Sequence, residues 1–257
     1  MFSPVLLLCL YWATVKISRS PLTIAHRGAS GYAPENTLLS LSKALDMGAQ
    51  WVEIDVQWAH EEAYLLHDRT LLRVAHLDKS LAELSPAEIS NIELVGEARI
   101  PTLDQAVSLL QGKCALNIEL KGSPPVGHVA QKIQGLLDAG WNKEALLVSS
   151  FNHPLLVELR ALLPDAPLAP ILYGHPFDEL STVHSLRAAT VCIDINLATE
   201  HRIAKFHEKH VRVFVYTANE PRDIHEMIDC GADGIISNYP DRVNACKANH
   251  EKPKSIP

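Results

Sequence analysis

Three carboxylates of this 257-residue chain fall where apolar runs meet polar loops. Glu53 and Asp55 are two positions apart in the run 51–56, a spacing that places both side chains on one face of a strand. Glu119 lies near the end of the run 114–120. Carboxylates that face each other inside a protein resist ionisation unless a cation lies between them. Oxygen ligands without a nearby cysteine favour Mg²⁺ or Ca²⁺ over structural zinc, and a salt-bridged polar strand face is the alternative.

Two histidines form a second candidate group. His26 and His67 each end a strand-like run, so we expect both at the same edge of a parallel sheet. Imidazole titrates near neutral pH, and two imidazoles beside a metal-bound phosphate can divide the acid and base roles. Taken singly, either histidine is more typical of a structural residue or a metal ligand than of a catalytic group. The chain has 13 histidines, and the others are assigned no part in the chemistry.

Neighbouring side chains complete the candidate site. Arg27 follows the first histidine and can form two charge-assisted hydrogen bonds to a phosphoryl group. Lys121 points to the same side as the third carboxylate, where it either stabilises negative charge on a phosphoryl oxygen or neutralises the carboxylates. Glu35 is expected to orient these groups or to act as a further ligand. Gly28 and Gly31 predict a tight loop after the first strand.

Eight short apolar runs alternate with helix-like stretches from Pro21 onward. The runs are 22–26, 51–56, 114–120, 145–150, 168–172, 190–195, 211–217 and 234–237. The helix-like stretches are Asn36–Met47, Thr102–Gln111, Gly127–Ala139, His153–Leu163, Phe177–Ala188, Thr199–Lys209, Pro221–Cys230 and Pro240–Ala248. This alternation predicts an α/β protein with a (β/α)8 TIM barrel, and an α/β sandwich is the alternative. In a barrel the reactive groups lie at the carboxyl ends of the strands, where the candidate residues fall.

One irregularity interrupts the alternation. Some 45 residues separate the second strand from the helix at Thr102. Within them, Ala63–His67 is typical of a strand that returns from a turn, which predicts a small β-hairpin and loop insertion after the second strand. The catalytic domain is expected over residues 21–248, and residues 249–257 are expected to form a polar tail.

The two ends and the cysteines bear on location. Residues 1–20 carry an apolar stretch of signal-peptide length that is too short to span a bilayer and has no preceding Lys or Arg. A weak signal, a docked hydrophobic extension and a non-native start all remain open. The five cysteines are widely spaced without a C-x-x-C pair, so we expect reduced thiols and a cytoplasmic protein. Export is the alternative if residues 1–20 act as a signal.

Composition excludes several classes of protein. The chain is 47% hydrophobic and 21% charged, as in an ordinary globular protein and unlike a disordered one. Its formal net charge of −7 argues against a broad nucleic-acid surface and against purely electrostatic docking on an acidic membrane. A phosphate must therefore be bound locally, by a few basic groups or a metal ion. The expected partner is a small molecule, and the oligomeric state is left open.

A series of motifs runs through residues 22–243 in a fixed order. They are His26-Arg-Gly28, Pro34-Glu-Asn-Thr37, Glu53-Ile-Asp55, His67-Asp68, Ile100-Pro-Thr-Leu103, Glu119-Leu-Lys121 and the segment Ala232–Pro240. Together they resemble the glycerophosphodiester phosphodiesterase family. The resemblance implies a TIM barrel that hydrolyses glycerophosphodiesters to sn-glycerol 3-phosphate and an alcohol, using one divalent cation, Mg²⁺ or Ca²⁺. It further implies Glu53, Asp55 and Glu119 as metal ligands, His26 and His67 as the acid/base pair, and Arg27, Lys121 and Tyr216 as contacts to the phosphate or substrate.

Three positions depart from the usual pattern of that family. Ser237-Asn238 replaces Thr-Asp, Arg69-Thr70 and Arg73-Val74 only loosely match an Arg-Thr-Thr motif, and Tyr216 replaces a frequent Trp. We expect these differences to lie at the rim and the substrate pocket, and so to affect substrate preference. A lysophospholipase D-type enzyme that contacts membranes is one other possible function. A non-catalytic barrel that binds a phosphate or a sugar is another.

Overall fold

The computed structural model describes residues 20–174 and 179–251, which form nine strands and ten α-helices. The strands are β1 (Leu22–His26), β2 (Trp51–Ala59), β3 (Glu62–Leu65), β4 (Ala115–Leu120), β5 (Leu146–Ser150), β6 (Leu168–Leu172), β7 (Thr190–Asp194), β8 (Arg212–Tyr216) and β9 (Gly234–Ser237). The helices are α1 (Leu38–Asp46), α2 (Leu72–Ala75), α3 (Pro86–Asn91), α4 (Leu103–Leu110), α5 (Val126–Asp138), α6 (His153–Leu162), α7 (Glu179–Ser185), α8 (Glu200–His207), α9 (Pro221–Asp229) and α10 (Pro240–His250).

Eight parallel strands close into a barrel. Going round it, β1 is followed by β2, then by β4 to β9 in chain order, and β9 pairs again with β1. Ile24 of β1 lies opposite Trp51 on one side and Ile236 on the other, so β1 has no free edge. A helix follows each of these strands. The predicted (β/α)8 TIM barrel is confirmed, and the sandwich alternative is wrong because the sheet closes on itself.

Polar caps determine where the helices begin. Thr37 and Thr102 accept hydrogen bonds from the backbone N–H groups of Ser40 and Gln105, at the starts of α1 and α4. Proline opens α9 and α10, where its missing N–H has no partner to lose. Several helices are slightly shorter than predicted because the capping residues lie outside the helical turns. Gly48, Gly140 and Gly231 follow α1, α5 and α9, and all three have the positive φ that is common just after a helix.

The insertion after β2 is a small layer with its own core. β3 pairs antiparallel with β2, as predicted, although the strand ends at Leu65 rather than at His67. Helices α2 and α3 and a short 3-10 helix, Leu81–Glu83, follow it. These short helices were not predicted, because four to six residues show no clear helical period. Nine buried side chains form this separate core: Ala59, Tyr64, Leu66, Leu71, Leu81, Leu84, Ile89, Leu94 and Ile100.

The two faces of the barrel strands enter different apolar clusters. Ile54 and Val56 are fully buried in the large cluster that includes the surrounding helices. Trp51 and Phe214 meet edge to face in the barrel interior, with ring centroids 5.7 Å apart. Glu53 and Asp55 have the same strand parity as Trp51 and lie further along β2. The interior is therefore apolar near the amino ends of the strands and polar near their carboxyl ends.

The chain ends bear on the predicted domain boundaries. α10 continues to His250, past the predicted end of the domain at residue 248. The four cysteines within the described ranges are free thiols, as expected, whereas Cys9 lies outside those ranges. Nearly all of the hydrophobic segment 1–20 and most of the polar tail 249–257 also lie outside the described residues. Among the helices that the structure describes, none has the length and apolar character needed to cross a membrane.

Candidate active site

Strand register brings the three carboxylates together. β2 and β4 pair so that Asp55 lies opposite Glu119, and β1 pairs with β2 so that His26 lies opposite Glu53. One oxygen from each of the three acids lies within 4.8 Å of the other two. Asp55 is 1% exposed and Glu53 is 2% exposed. The grouping predicted from the sequence is thus present in the structure, at the carboxyl ends of adjacent strands.

The acids differ in how their surroundings affect ionisation. Burial, reinforced by the charges of Asp55 and Glu119, raises the pKa of Glu53 well above its usual value. Burial and Asp55 raise the pKa of Glu119 to about 7. Burial opposes ionisation of Asp55 too, but Arg27 and Lys121 outweigh it and lower the pKa of Asp55. Glu53 and Glu119 therefore resist ionisation more than Asp55 does, although Arg27 and Lys121 offset part of the cost.

These acids fit a hard divalent cation. Glu53 Oε1 and Asp55 Oδ1 are buried and accept no hydrogen bond among the described residues, although such atoms are normally satisfied in folded proteins. A narrow cavity of about 20 Å³ beside the acids is lined by His26, Glu53, Glu119 and Tyr216, among others. That volume suits one water molecule or one ion. Oxygen donors without a thiolate in the set are the ligands that Mg²⁺ and Ca²⁺ prefer.

Two basic side chains flank the acids. Arg27 Nε lies 3.0 Å from Asp55 Oδ2, and its backbone N–H donates to Glu53 Oε2 over 2.9 Å. Lys121 Nζ donates to Glu119 Oε1 over 2.6 Å and lies 3.3 Å from Asp55 Oδ1. Arg27 and Lys121 are thus held by the same carboxylates on which the cation site depends. The position of Lys121 is compatible with both roles that the sequence left open, neutralising the carboxylates and stabilising a phosphoryl oxygen.

Two residues of the Pro34–Thr37 motif orient these groups. Asn36 Nδ2 donates to Asp55 Oδ2 over 2.9 Å, and its Oδ1 accepts from the Asp55 backbone N–H over 3.1 Å. Glu35 accepts from Arg27 NH1 over 3.0 Å. Glu35 is not among the acids that cluster, so the structure favours the orienting role over the further ligand. The contact between Asn36 and Asp55 was not predicted from the sequence, because only the turn of the loop between β1 and α1 brings the Asn36 side chain to β2.

His26 is held by a residue whose contact the sequence did not reveal. Its Nδ1 lies 2.6 Å from Asn238 Oδ1, which accepts only, so Nδ1 carries the proton and Nε2 presents a lone pair. Nε2 faces Glu53 Oε2 at 4.0 Å. Burial and the Arg27 charge lower the pKa of His26 to about 4, which keeps the ring neutral at neutral pH. The replacement of the family's Asp by Asn238 was expected to lie at the rim and the substrate pocket. This is wrong for Asn238, because its side chain touches His26.

His67 belongs to a separate set of contacts on the insertion. Its Nδ1 lies 2.6 Å from Asp68 Oδ1, and Arg73 Nε donates to Asp68 Oδ2 over 2.6 Å. The Arg73 hydrogen bond lowers the pKa of Asp68 to about 2. Arg73 also donates twice to Glu35, over 2.8 and 2.7 Å. Gln57 Nε2 contacts the carbonyls of three successive residues from Leu66 onward, which fixes the loop that carries His67.

The two histidines converge on the same acid. Electrostatic interactions with Arg27, Lys121, His67 and His26, in that order, lower the pKa of Asp55. Tyr216 lines the narrow cavity with His26, and its hydroxyl donates to the Leu172 carbonyl over 3.0 Å. The predicted site residues are therefore gathered at one end of the barrel. Their individual roles stay predictions.

Comparison with known proteins now identifies the family. The sequence profile of the glycerophosphoryl diester phosphodiesterase family matches residues 26–242. This chain belongs to that family. Two bacterial glycerophosphodiester phosphodiesterases support the assignment. The one from Caldanaerobacter subterraneus is 29% identical over 236 residues, which is 86% of this chain and 96% of that protein. The one from Bacillus altitudinis is 28% identical over 239 residues, 85% of this chain and 95% of that protein.

A solved structure of a phosphodiesterase agrees with this fold. An Oleispira antarctica phosphodiesterase, in complex with the product sn-glycerol-3-phosphate, matches with a TM-score of 0.81 and 28% identity. The match covers 88% of this chain and 96% of that one. The chain is thus a glycerophosphodiester phosphodiesterase, a hydrolase, and the resemblance inferred from its motifs is confirmed. This assignment argues against the non-catalytic barrel.

Proposed function

We propose that the protein hydrolyses glycerophosphodiesters to sn-glycerol 3-phosphate and an alcohol with the help of one divalent cation. The observation that carries the proposal is the buried cluster of Glu53, Asp55 and Glu119, whose oxygens lie within 4.8 Å of one another. Within the described residues Glu53 Oε1 and Asp55 Oδ1 accept no hydrogen bond, although Lys121 Nζ lies 3.3 Å from the latter. A bound Mg²⁺ or Ca²⁺ would offset negative charge on the phosphoryl oxygens.

The remaining steps belong to side chains of the chain itself. Arg27 and Lys121 bind phosphoryl oxygens through charge-assisted hydrogen bonds. His26 Nε2, which is unprotonated, accepts the proton of the attacking hydroxyl. His67 donates a proton to the leaving alcohol, with its ring held by Asp68 Oδ1, 2.6 Å from Nδ1. Each ring is thus oriented by one neighbouring side chain, a neutral amide for His26 and a carboxylate for His67.

The first experiment measures release of sn-glycerol 3-phosphate from glycerophosphocholine by a coupled assay. We expect activity with Mg²⁺ or Ca²⁺, its loss in EDTA and its return when the cation is restored. Glu119→Gln, which removes one ligand charge, should require much more cation for half-maximal activity. Activity that persists unchanged in EDTA would contradict the cation site. Failure of every glycerophosphodiester to release glycerol 3-phosphate would contradict the reaction itself.

A second experiment tests the two histidines. His26→Ala and His67→Ala are each expected to lower kcat/KM by roughly 10²- to 10⁴-fold, the usual contribution of general acid–base catalysis. His128→Ala is the matched control, because His128 is exposed on α5. Near-normal turnover of either site variant would refute the two-histidine scheme.

The identity of the nucleophile is tested separately. Either water or the adjacent glycerol hydroxyl can attack the phosphorus, and the second route passes through a cyclic glycerophosphate. The proposed proton transfer to His26 applies to both. Phosphorus NMR during turnover distinguishes them, because the cyclic ester accumulates or is trapped only on the second route.

Exposed apolar side chains at the carboxyl end of the barrel favour a second candidate, hydrolysis of lysolipids. Phe151 and Tyr173 follow β5 and β6 and are 48% and 76% exposed, and Leu72 on the insertion is 54% exposed. The Phe151 ring lies 6.1 Å from the Tyr216 ring and 5.8 Å from Lys121 Nζ. Such side chains can contact an acyl chain while the headgroup occupies the site. Comparing kcat/KM for glycerophosphocholine and lysophosphatidylcholine decides between the two substrates.

A further inference from the structure

An open cleft lies at the end of the barrel opposite the candidate active site. It is lined by the segments that precede strands β5 to β8, together with the end of α6. Its volume is about 250 Å³, below the roughly 300–1,000 Å³ of most pockets for organic ligands. A small ion or a compact polar molecule is therefore its fitting occupant.

Positive charge is concentrated in this cleft although the protein as a whole is acidic. Lys143, Arg160, Arg187 and Arg212 all line it, against the two acids Glu144 and Asp165. Within the described ranges none of the four basic side chains forms an ion pair with a carboxylate. The formal charge of the whole chain is −7, so these basic groups form a local exception.

Two of the guanidinium groups are held side by side. Arg160 NH1 donates to the Pro164 carbonyl over 2.8 Å, and Arg187 NH2 donates to the same carbonyl over 3.0 Å. Arg160 Nε is fixed by a further bond to the Leu186 carbonyl. Burial and the charge of Arg187 lower the pKa of Arg160, and the charge of Asp165 offsets part of this effect. Each fork retains donors that these bonds do not use.

A buried hydroxyl provides independent support. Thr190 lines the cleft at the start of β7, and the residue is 1% exposed. Its Oγ1 has no hydrogen-bond partner within the part of the chain that the structure describes. Buried hydroxyls are normally hydrogen-bonded, and an oxyanion bound beside these cations would give the Thr190 hydroxyl a partner.

We propose that this cleft is a second anion site, built by Arg160, Arg187, Arg212 and Lys143 to bind a phosphate or phosphomonoester dianion. The planar arginine forks match the oxygens of a tetrahedral phosphate, and a dianion neutralises the neighbouring guanidinium groups. The site is independent of the catalytic reaction, because it lies at the amino ends of the strands.

Isothermal titration calorimetry in EDTA tests the site with inorganic phosphate and with sn-glycerol 3-phosphate as separate probes. Arg187→Gln is expected to weaken binding at this site about tenfold or more, and Lys143→Gln by a smaller factor. Lys113→Gln is the matched control: Lys113 is exposed and precedes β4, as Lys143 precedes β5, but it does not line the cleft. The control variant should bind like the wild type.

Amide chemical shifts locate the binding. We expect phosphate to shift the signals of residues 187–190, with those changes lost in Arg187→Gln. Tighter binding of glycerol 3-phosphate than of inorganic phosphate identifies the occupant as a phosphomonoester, and the reverse identifies free phosphate. Shifts confined to the surroundings of Arg27, or equal affinities in Arg187→Gln and Lys113→Gln, would overturn the proposal. Thermal unfolding of each variant confirms that it is folded before binding is compared.

Discussion

Asn238 governs the hydrogen bonding of His26. Its amide oxygen lies 2.6 Å from Nδ1 and accepts from it, which leaves Nε2 free to face the acids. The backbone N–H of Asn238 in turn donates to Asn219 Oδ1 over 2.9 Å, so the amide is itself anchored. The ring orientation and the protonated nitrogen of His26 therefore depend on a side chain that directly follows β9, the last strand of the barrel.

We predict that Asn238→Ala lowers kcat about tenfold to a hundredfold, with KM changed much less. The reason is that the ring loses the one side-chain acceptor that the described residues give it, an effect comparable to losing the partner of a metal-bound histidine. Asn238→Asp keeps an acceptor at this position and should retain more activity than the alanine variant. Steady-state kinetics on glycerophosphocholine measure both. Wild-type kcat in Asn238→Ala would contradict the positioning role.

At the scale of elements, Arg73 joins the insertion to the first loop of the barrel. It donates to Asp68 beside His67 and to Glu35 beside Arg27. Helix α2 contains no buried residue, and the side chain of Arg73 is 50% exposed. These ion pairs therefore contribute little to global stability but set the position of His67 relative to the barrel.

Arg73→Ala is expected to lower kcat about tenfold while changing the free energy of unfolding by less than about 1 kcal/mol, as for other exposed ion pairs. Arg73→Lys keeps the charge but loses the fork, so it should recover only part of the activity. Arg69→Ala, an exposed arginine on the same insertion, serves as the control. Equal losses in the Arg69 and Arg73 variants would show that charge, and not position, matters.

Gly28 makes the β1–α1 loop possible for two separable reasons. Its φ is +76°, and an added Cβ would lie 2.6 Å from the backbone carbonyl carbon of Ser40. Gly112 has nearly the same φ, +73°, but nothing lies within 4 Å of its added Cβ. The two positions therefore share the backbone strain and differ in the steric clash.

We predict that Gly112→Ala costs about 1–2 kcal/mol of the free energy of unfolding, the penalty for a left-handed L-residue. Gly28→Ala should cost clearly more, because the loop must also move away from α1. It should also reduce activity, since the adjacent Arg27 moves with the loop, whereas Gly112→Ala should retain activity. Urea unfolding measures the difference, and equal costs at the two positions would show that the clash is relieved without penalty.

The candidate cation site also bears on the stability of the whole fold. Glu53 and Asp55 are buried near the carboxyl ends of the barrel strands, where burial opposes their ionisation. Arg27 and Lys121 offset part of this cost. A cation that binds only the folded chain would offset more of this cost. We therefore expect the unfolding temperature to rise with the cation concentration.

We predict that Mg²⁺ or Ca²⁺ at about 100 times its Kd stabilises the fold by about 2.7 kcal/mol. For a chain of this size that corresponds to a rise in Tm of roughly 5–10 °C. Differential scanning fluorimetry in EDTA and in excess cation measures it, with KCl of equal ionic strength as the control. The rise should shrink in Glu119→Gln. A Tm that is the same in EDTA and in cation would contradict the site.

Much of the candidate site could be predicted from the sequence because its residues occupy strand ends. Two-residue spacing on β2 places Glu53 and Asp55 on one face, and parallel pairing brings Glu119 beside them. The barrel itself followed from the alternation of strands and helices. The location of the protein, which the free thiols suggested to be cytoplasmic, stays a prediction.

The tertiary structure alone decided which side chains support that site. Asn238 is 212 residues from His26 and becomes its neighbour only because β9 closes the barrel against β1. Arg73 reaches Glu35 because two separate loops meet over the barrel. The basic cleft likewise brings together residues from the segments that precede four successive strands, β5 to β8. Local spacing determines which way a side chain points, whereas contacts between distant segments depend on the closure and packing of the whole chain, which no local pattern encodes.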